Sequence, residues 1–168
     1  MIFKEKTVGV VKKIGIVGYG VVGRAIERTL APVFEVKKFD KYVSSDKFED
    51  VCESDLIFLS VPTPFDYDNA QVDLSAIRES LTKLSAVDFE GLLVIKSTIP
   101  PGTTDSLAEE HGNLNLCFNP EFVRNDTAQK DFACQNVVII GTRKRGVYEQ
   151  VKRVYEKVLK SDAEYYFV

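Results

Sequence analysis

Apolar and polar positions along the chain fall into two alternating kinds of segment. The first kind is short and largely apolar: Lys13-Ile14-Gly15-Ile16-Val17, Asp55 to Val61, Leu92 to Ser97, Leu114 to Phe118, and Asn136 to Gly141, with the more polar Phe34 to Asp40 as a second strand ending in an acid. Continuous runs of this length suit strands buried on both faces. The second kind has helical period. Val22, Ala25, Ile26 and Leu30 share one face, as do Leu74, Ile77, Leu81 and Leu84. Asp73 is placed as an N-cap for that second helix, over 74–86, and Thr103 or Thr104 for a shorter one reaching about Glu110. A last helix over 145–160 carries a stripe of Val147, Val151, Val154, Tyr155 and Val158, with Glu149–Arg153 and Glu156–Lys160 as outward i,i+4 pairs. Ala163 to Val168 is apolar and reads as a closing strand or the start of a further segment. Strands alternating with helices predict an α/β, Rossmann-type, doubly wound parallel sheet of about six strands, helices on both faces, in the order 3-2-1-4-5-6. The expectation is one domain over 1–168, with 1–12 as an N-terminal extension ahead of the first strand.

Between the first strand and the first helix lies Gly18-Tyr19-Gly20-Val21-Val22-Gly23. Strand, G-x-G-x-x-G, helix is the context that makes this motif a dinucleotide fingerprint. Gly18 permits the tight turn, Gly20 lets the backbone approach a pyrophosphate, and Gly23 lets helix pack close to strand. The helix N-terminus offers N–H groups and partial positive charge to the phosphates. Asp40 ends the second strand, 22 positions after Gly18. An acid there accepts hydrogen bonds from the adenosine ribose and repels a 2′-phosphate, so NAD is expected rather than NADP.

In such sheets ligands bind beyond the carboxyl ends of the strands, and three loops at those ends are unusual. Val61-Pro62-Thr63-Pro64 fixes the backbone with two prolines and presents Thr63. Ile95-Lys96-Ser97-Thr98-Ile99-Pro100-Pro101-Gly102-Thr103 places two hydroxyls at a strand end before a rigid turn. Asn119-Pro120-Glu121-Phe122-Val123-Arg124 places a carboxylate beyond the fifth strand.

Together with Gly18–Gly23, the segments Asp55–Pro64, Ile95–Thr103 and Asn119–Phe122 make the chain resemble the nucleotide-sugar dehydrogenases of the UDP-glucose/GDP-mannose dehydrogenase family, in its N-terminal NAD-binding domain. The resemblance implies an oxidoreductase of polysaccharide-precursor biosynthesis that takes a sugar C6 alcohol to a carboxylate while reducing two NAD. By position it implies that Gly18, Tyr19, Gly20, Val21, Val22 and Gly23 hold the pyrophosphate and Asp40 the ribose. Val61, Pro62 and Thr63 would line the cofactor, with Ser97 and Thr98 near the nicotinamide. Thr98 and Glu121 would be the catalytic pair, and Glu121, Phe122 and Val123 would contact a nucleotide sugar, UDP-glucose first among them. Two departures stand out. Asn125 takes the place of the family's second Glu, and the family's nucleophilic Cys, Lys and Asn belong to segments beyond this chain. The second oxidation needs a thiolate, and Cys52, Cys117 and Cys134 match no such position. The expectation is a domain that is incomplete alone, its catalytic Cys supplied by a second chain or domain. Two alternatives stand beside it: another NAD-dependent dehydrogenase, which would share the fingerprint but is not expected to carry the Asn-Pro-Glu-Phe run, and a nucleotide-sensing Rossmann module without catalysis, against which the Ser97-Thr98 and Glu121 segments count and which the missing catalytic half keeps open.

Composition changes this picture little. A net charge of −3 gives no footprint for nucleic acid, and Arg143-Lys144-Arg145 reads as a solvated helix start. No apolar stretch approaches a membrane span, and the N-terminus lacks a secretory h-region, which makes a cytoplasmic location the expectation. Three cysteines and one histidine, His111, have no metal-ligand spacing, so no metal is expected.

Overall fold

A computed structural model describes residues 9–168; of the N-terminal extension, residues 1–8 lie outside the described residues. The chain runs β1 (Lys13–Val17), α1 (Val21–Leu30), β2 (Glu35–Phe39), α2 (Phe48–Cys52) and β3 (Leu56–Leu59). A hairpin of β4 (Phe65–Asp66) and β5 (Gln71–Val72) follows, then α3 (Ser75–Ala86), β6 (Leu92–Ile95), α4 (Thr103–Glu110) and β7 (Asn115–Phe118). A 3₁₀ turn over Asn125–Thr127 leads into α5 (Ala128–Ala133), β8 (Val137–Ile140), α6 (Arg145–Glu156) and β9 (Glu164–Phe167).

Five strands form one parallel sheet in the order β2-β1-β3-β6-β7. This corrects the expected order 3-2-1-4-5-6. The third strand in the chain pairs with β1 on the side away from β2, so the order reverses between β1 and β3. The sixth strand, β8, pairs in parallel with β9 in a separate ladder, joined to the main sheet by one antiparallel bridge, Phe118–Gly141. The C-terminal apolar run thus forms a strand, β9, beside β8.

Side chains alternate across the sheet, as the period of a strand requires. Ile14, Ile16, Leu56, Phe58, Leu92 and Val94 face α1, α5 and α6. Val17, Ile57, Leu59, Leu93 and Ile95 face α2, α3 and α4. The expected helical stripes are the buried faces: Ala25, Ile26 and Leu30 on α1, Ile77, Leu81 and Leu84 on α3, and Val147, Val151, Val154 and Tyr155 on α6. Phe58 is fully buried and meets Tyr155 edge-on with ring centroids 6.3 Å apart. Phe58→Ala removes a whole ring from this layer and is expected to cost about 3–5 kcal/mol, read as the loss of unfolding free energy in urea.

Local details shift at helix ends. Gly102, at φ +82°, precedes α4 where a threonine cap was expected. The N-cap of α3 is Leu74 rather than the expected Asp73, whose Oδ1 accepts the Ser75 N–H at 2.8 Å from one residue further back. On α6 the ion pairs are Arg145–Glu149 and Lys152–Glu156 rather than the expected pairs: Glu149 is taken by Arg145, and Lys160 lies beyond the helix end at Glu156. Arg143 pairs with Asp105, and Lys144 donates to Asn115, so the basic cluster is engaged within the chain.

Candidate functional site

The reversal between β1 and β3 opens a crevice at their carboxyl ends, where ligands sit in open α/β sheets. Gly18 turns out of β1 at φ +92°, and a Cβ there would lie 2.5 Å from the Ser60 carbonyl oxygen. Gly23 packs α1 onto the turn, and a Cβ there would lie 2.2 Å from the Gly18 carbonyl oxygen. Around Gly20 there is nothing within 4 Å of a built Cβ. Two of the glycines therefore make room for the chain itself, and the middle one leaves room for something else. Gly20 precedes α1 with no side-chain cap, and the first turn carries no acid. The free N–H groups and the positive end of the helix macrodipole thus face the loop unopposed.

Asp40 closes the other side of this loop. Its Oδ2 accepts the Tyr19 N–H at 2.7 Å and its Oδ1 the Tyr42 N–H at 2.8 Å. The Tyr19 hydroxyl donates to Glu27, which also receives the Lys38 ammonium, and Arg24 lies 4.5 Å over the Tyr19 ring. Burial alone would raise the Glu27 carboxyl, but hydrogen bonds from Lys38 and Tyr19 outweigh it and hold it below the ordinary range.

The remaining strand ends are stitched to one another by three hydroxyl side chains and one backbone bond. The Ser60 hydroxyl donates to the Gly18 carbonyl at 2.8 Å, joining the β3 end to the glycine turn. The Ser97 hydroxyl donates to the Val61 carbonyl at 2.7 Å, and Thr63 donates to the Thr98 carbonyl at 2.8 Å, joining β3 to β6. Asn119 N–H donates to the Ile95 carbonyl at 3.0 Å, joining β6 to β7. Each bond satisfies a polar group that leaves the ladder at a strand end. The result brings Gly18–Gly23, Asp40, Val61, Thr63, Ser97, Thr98 and Glu121 to one edge of the sheet. Thr98 is exposed there, whereas Ser97 is buried, its hydroxyl engaged in holding the β3 loop.

Beyond β7, Glu121 Oε1 accepts the Phe122 N–H at 3.1 Å. Phe122 is 66 % exposed, while Val123 packs against the core. Arg124 holds Asp131 with two guanidinium contacts and its own N–H, which together with the Thr127 hydroxyl keep the Asp131 carboxyl well below its usual range. This clamp fixes the loop onto α5. Two open clefts flank it. One, of about 660 Å³, runs from Val21 and Arg24 to Asn125 and Ala128; the other, of about 590 Å³, is lined by Glu121, Phe122, Cys134 and Ile139 among others.

Lys96, Asn119 and Tyr155 have no site role in the reading of the sequence. All three are buried, and the Lys96 ammonium lies 2.9 Å from Glu121 Oε2 and 3.0 Å from Asn119 Oδ1. A signal for it exists: Leu92, Val94 and Lys96 occupy one register, and a charge in that register enters the core. Cys117 is buried beside this group, and burial pushes its thiol up to about 12 against the opposing pull of Lys96. Among the described residues no cluster of potential metal ligands exists and no helix is long and apolar enough to cross a membrane.

Residues 24–159 match the model of the UDP-glucose/GDP-mannose dehydrogenase family, NAD binding domain. The chain belongs to this family. The matched span begins directly after the glycine turn and covers every other loop of the edge. UDP-glucose 6-dehydrogenase of Rickettsia bellii is 28% identical over 155 residues, which are 83% of this chain and 35% of that protein. UDP-glucose 6-dehydrogenase AglM of Haloferax volcanii is 29% identical over 77% of this chain and 33% of its own length. The fold is that of a UDP-glucose dehydrogenase from Pyrobaculum islandicum, with a TM-score of 0.80 and 21% identity over 100% of this chain and 48% of that one. The chain thus spans about a third of the curated relatives it matches and is an NAD-binding domain of the nucleotide-sugar dehydrogenase type.

Proposed function

We propose that this chain supplies the NAD site and one wall of the substrate site of a nucleotide-sugar dehydrogenase acting on UDP-glucose or a close analogue. The observation that carries the reading is the stitched edge: an uncapped helix start at Gly20, an acid at the β2 end, and Thr98 and Glu121 on neighbouring strand ends. The turn Gly18 to Gly23 holds the pyrophosphate: Gly18 and Tyr19 shape it, the free N–H groups at the α1 start, among them those of Val21 and Val22, face the phosphates, and Asp40 accepts from the ribose. Val61, Pro62 and Thr63 line the cofactor, a surface made rigid by the prolines and by the Thr63–Thr98 bond. When bound there, NAD would supply the hydride acceptor for oxidation of a sugar carbon. Thr98 and Glu121 orient the reacting alcohol or a water by hydrogen bond, and Phe122 and Val123 contact the sugar nucleotide.

Conversion to the acid requires a thiolate that holds the aldehyde. Cys117 cannot present one at neutral pH, since its thiol is buried and raised to about 12. The Cys52 thiol is also raised by burial. Cys134 is exposed and lines both clefts, but it matches no nucleophile position of the family, so the nucleophile is proposed to come from a second chain or domain. Titration calorimetry with NAD on the 168-residue protein is expected to show one-to-one binding, and an assay with UDP-glucose and NAD no sustained NADH production. Absence of NAD binding would sink the cofactor assignment. Robust turnover to the acid would sink the division of labour while leaving the cofactor site standing.

A further inference from the structure

Lys96 carries a full charge into the apolar layer between the sheet and α6. Its side chain has 0% exposure, and that of its ionic partner Glu121 has 10%. The ammonium lies 3.4 Å from the Tyr155 hydroxyl and 5.4 Å over the Phe132 ring. Tyr155 also donates to Asn119 Oδ1, and Asn119 Nδ2 donates to the Ile139 carbonyl at 2.7 Å, so the group is tied to α6 and β8 as well as to β6 and β7. A buried ion pair is a poor way to stabilise a fold, because desolvating both charges offsets their attraction, and an apolar residue of the same size would fill this space. What the pair does specify is geometry. Lys96 immediately precedes Ser97 and Thr98, and its charge holds the carboxylate on the neighbouring loop.

We infer that Lys96 is a positioning residue of the cofactor site, its ammonium fixing the Glu121 carboxylate relative to Thr98 and acting at the nicotinamide end through Glu121. The inference rests on the placement of Glu121 proposed above. Its action needs the charged form of Lys96. Burial lowers the Lys96 pKa from the ordinary 10.5, with Glu121 opposing the shift. The other titratable groups against it are Cys117 on β7, pushed up to about 12, and Tyr155 on α6, raised well above 10 by burial; Phe132 on α5 contributes only a ring. As pH rises, Lys96 is therefore the first of this group to change charge. Positioning is fully present below its pKa and is lost as pH passes through it, at a pH below 10.5.

The readout is the preference for NAD over ADP-ribose, measured by calorimetry, since the ratio cancels the shared adenosine and pyrophosphate end and any loss of folded protein. Wild type is expected to prefer NAD. Lys96→Met should reduce that preference by about tenfold, the scale of one charge-assisted contact. Glu121→Gln should do the same, and the double variant should lose no more than either. The wild-type preference should also fall at alkaline pH, and that fall should be missing from Glu121→Gln, which keeps the test decisive if Lys96→Met does not fold. Binding of neither ligand by wild type would overturn the cofactor reading and this inference with it. A wild-type preference unchanged in Lys96→Met, additive effects in the double variant, or the same alkaline fall in Glu121→Gln would overturn the inference alone.

Discussion

Gly23→Ala is expected to abolish NAD binding by breaking the protein's own turn, and Gly20→Ala by obstructing the ligand while the fold survives. The difference follows from what a methyl group meets. At Gly23 it would stand 2.2 Å from the Gly18 carbonyl oxygen, a backbone atom that cannot swing aside. Relief requires α1 to move off β1, and α1 carries Ala25, Ile26 and Leu30 into the core. Overpacking of this kind costs about 1–3 kcal/mol and more where backbone resists, so the midpoint of urea unfolding should fall clearly. At Gly20 the same methyl meets nothing within 4 Å, and Gly20 has φ −79°, which any residue adopts. Its stability should stay within about 0.5 kcal/mol of wild type, as for surface changes away from special features. The methyl would instead stand where a pyrophosphate approaches the helix start, and calorimetry should register the loss of NAD affinity. Gly20→Ala binding NAD as wild type would show that the open space there is not the phosphate site.

The elements of the sheet were legible because β1, β3 and β6 are almost unbroken apolar runs, β2 leads directly into the Asp that completes the fingerprint, and each long helix has an apolar stripe. Their order was not. A strand buried on both faces carries no mark of which neighbour it pairs with, so nothing in Leu56–Leu59 distinguishes pairing beside β1 from pairing beside β2. Short elements escaped for a related reason. α2 and α5 span five and six residues, too few for a helical stripe to repeat, and β4 and β5 span two each. β8 reads as a strand of the main sheet, yet it pairs with β9 and meets β7 only through Phe118–Gly141.

The candidate site was more legible than the order of the strands. Gly18–Gly23, Asp40 and the proline-rich loops announce themselves because special backbone and paired hydroxyls are written in residue types. Their mutual placement needed only the rule that such loops gather at the carboxyl edge, which holds for either strand order. The buried group around Lys96 was hidden because its members lie far apart in the chain, at 96, 119, 121 and 155, and because charged residues at strand ends are ordinarily solvated. Only the alternation of β6 marks Lys96 as pointing inward.

Asp40 holds two tasks, and a single substitution separates them. Its carboxylate accepts the Tyr19 and Tyr42 N–H groups through different oxygens, which ties the glycine turn to the end of β2. Each carboxylate oxygen can accept more than one bond, so capacity for ribose hydroxyls remains. Its negative charge also opposes a 2′-phosphate. Asp40→Asn keeps one acceptor and removes the charge, whereas Asp40→Ala removes both. Both variants should lose NAD affinity, Asp40→Ala by about tenfold or more, the scale of hydrogen bonds to a charged group. The discriminating quantity is the ratio of NADP to NAD dissociation constants. Wild type should favour NAD strongly, and both variants should compress the ratio, because relief of charge repulsion helps only the phosphorylated cofactor. A loop effect alone would weaken the two cofactors equally and leave the ratio unchanged. Equal binding of NAD and NADP by wild type would remove Asp40 from the ribose site and leave it as a purely structural tie between β2 and the glycine turn.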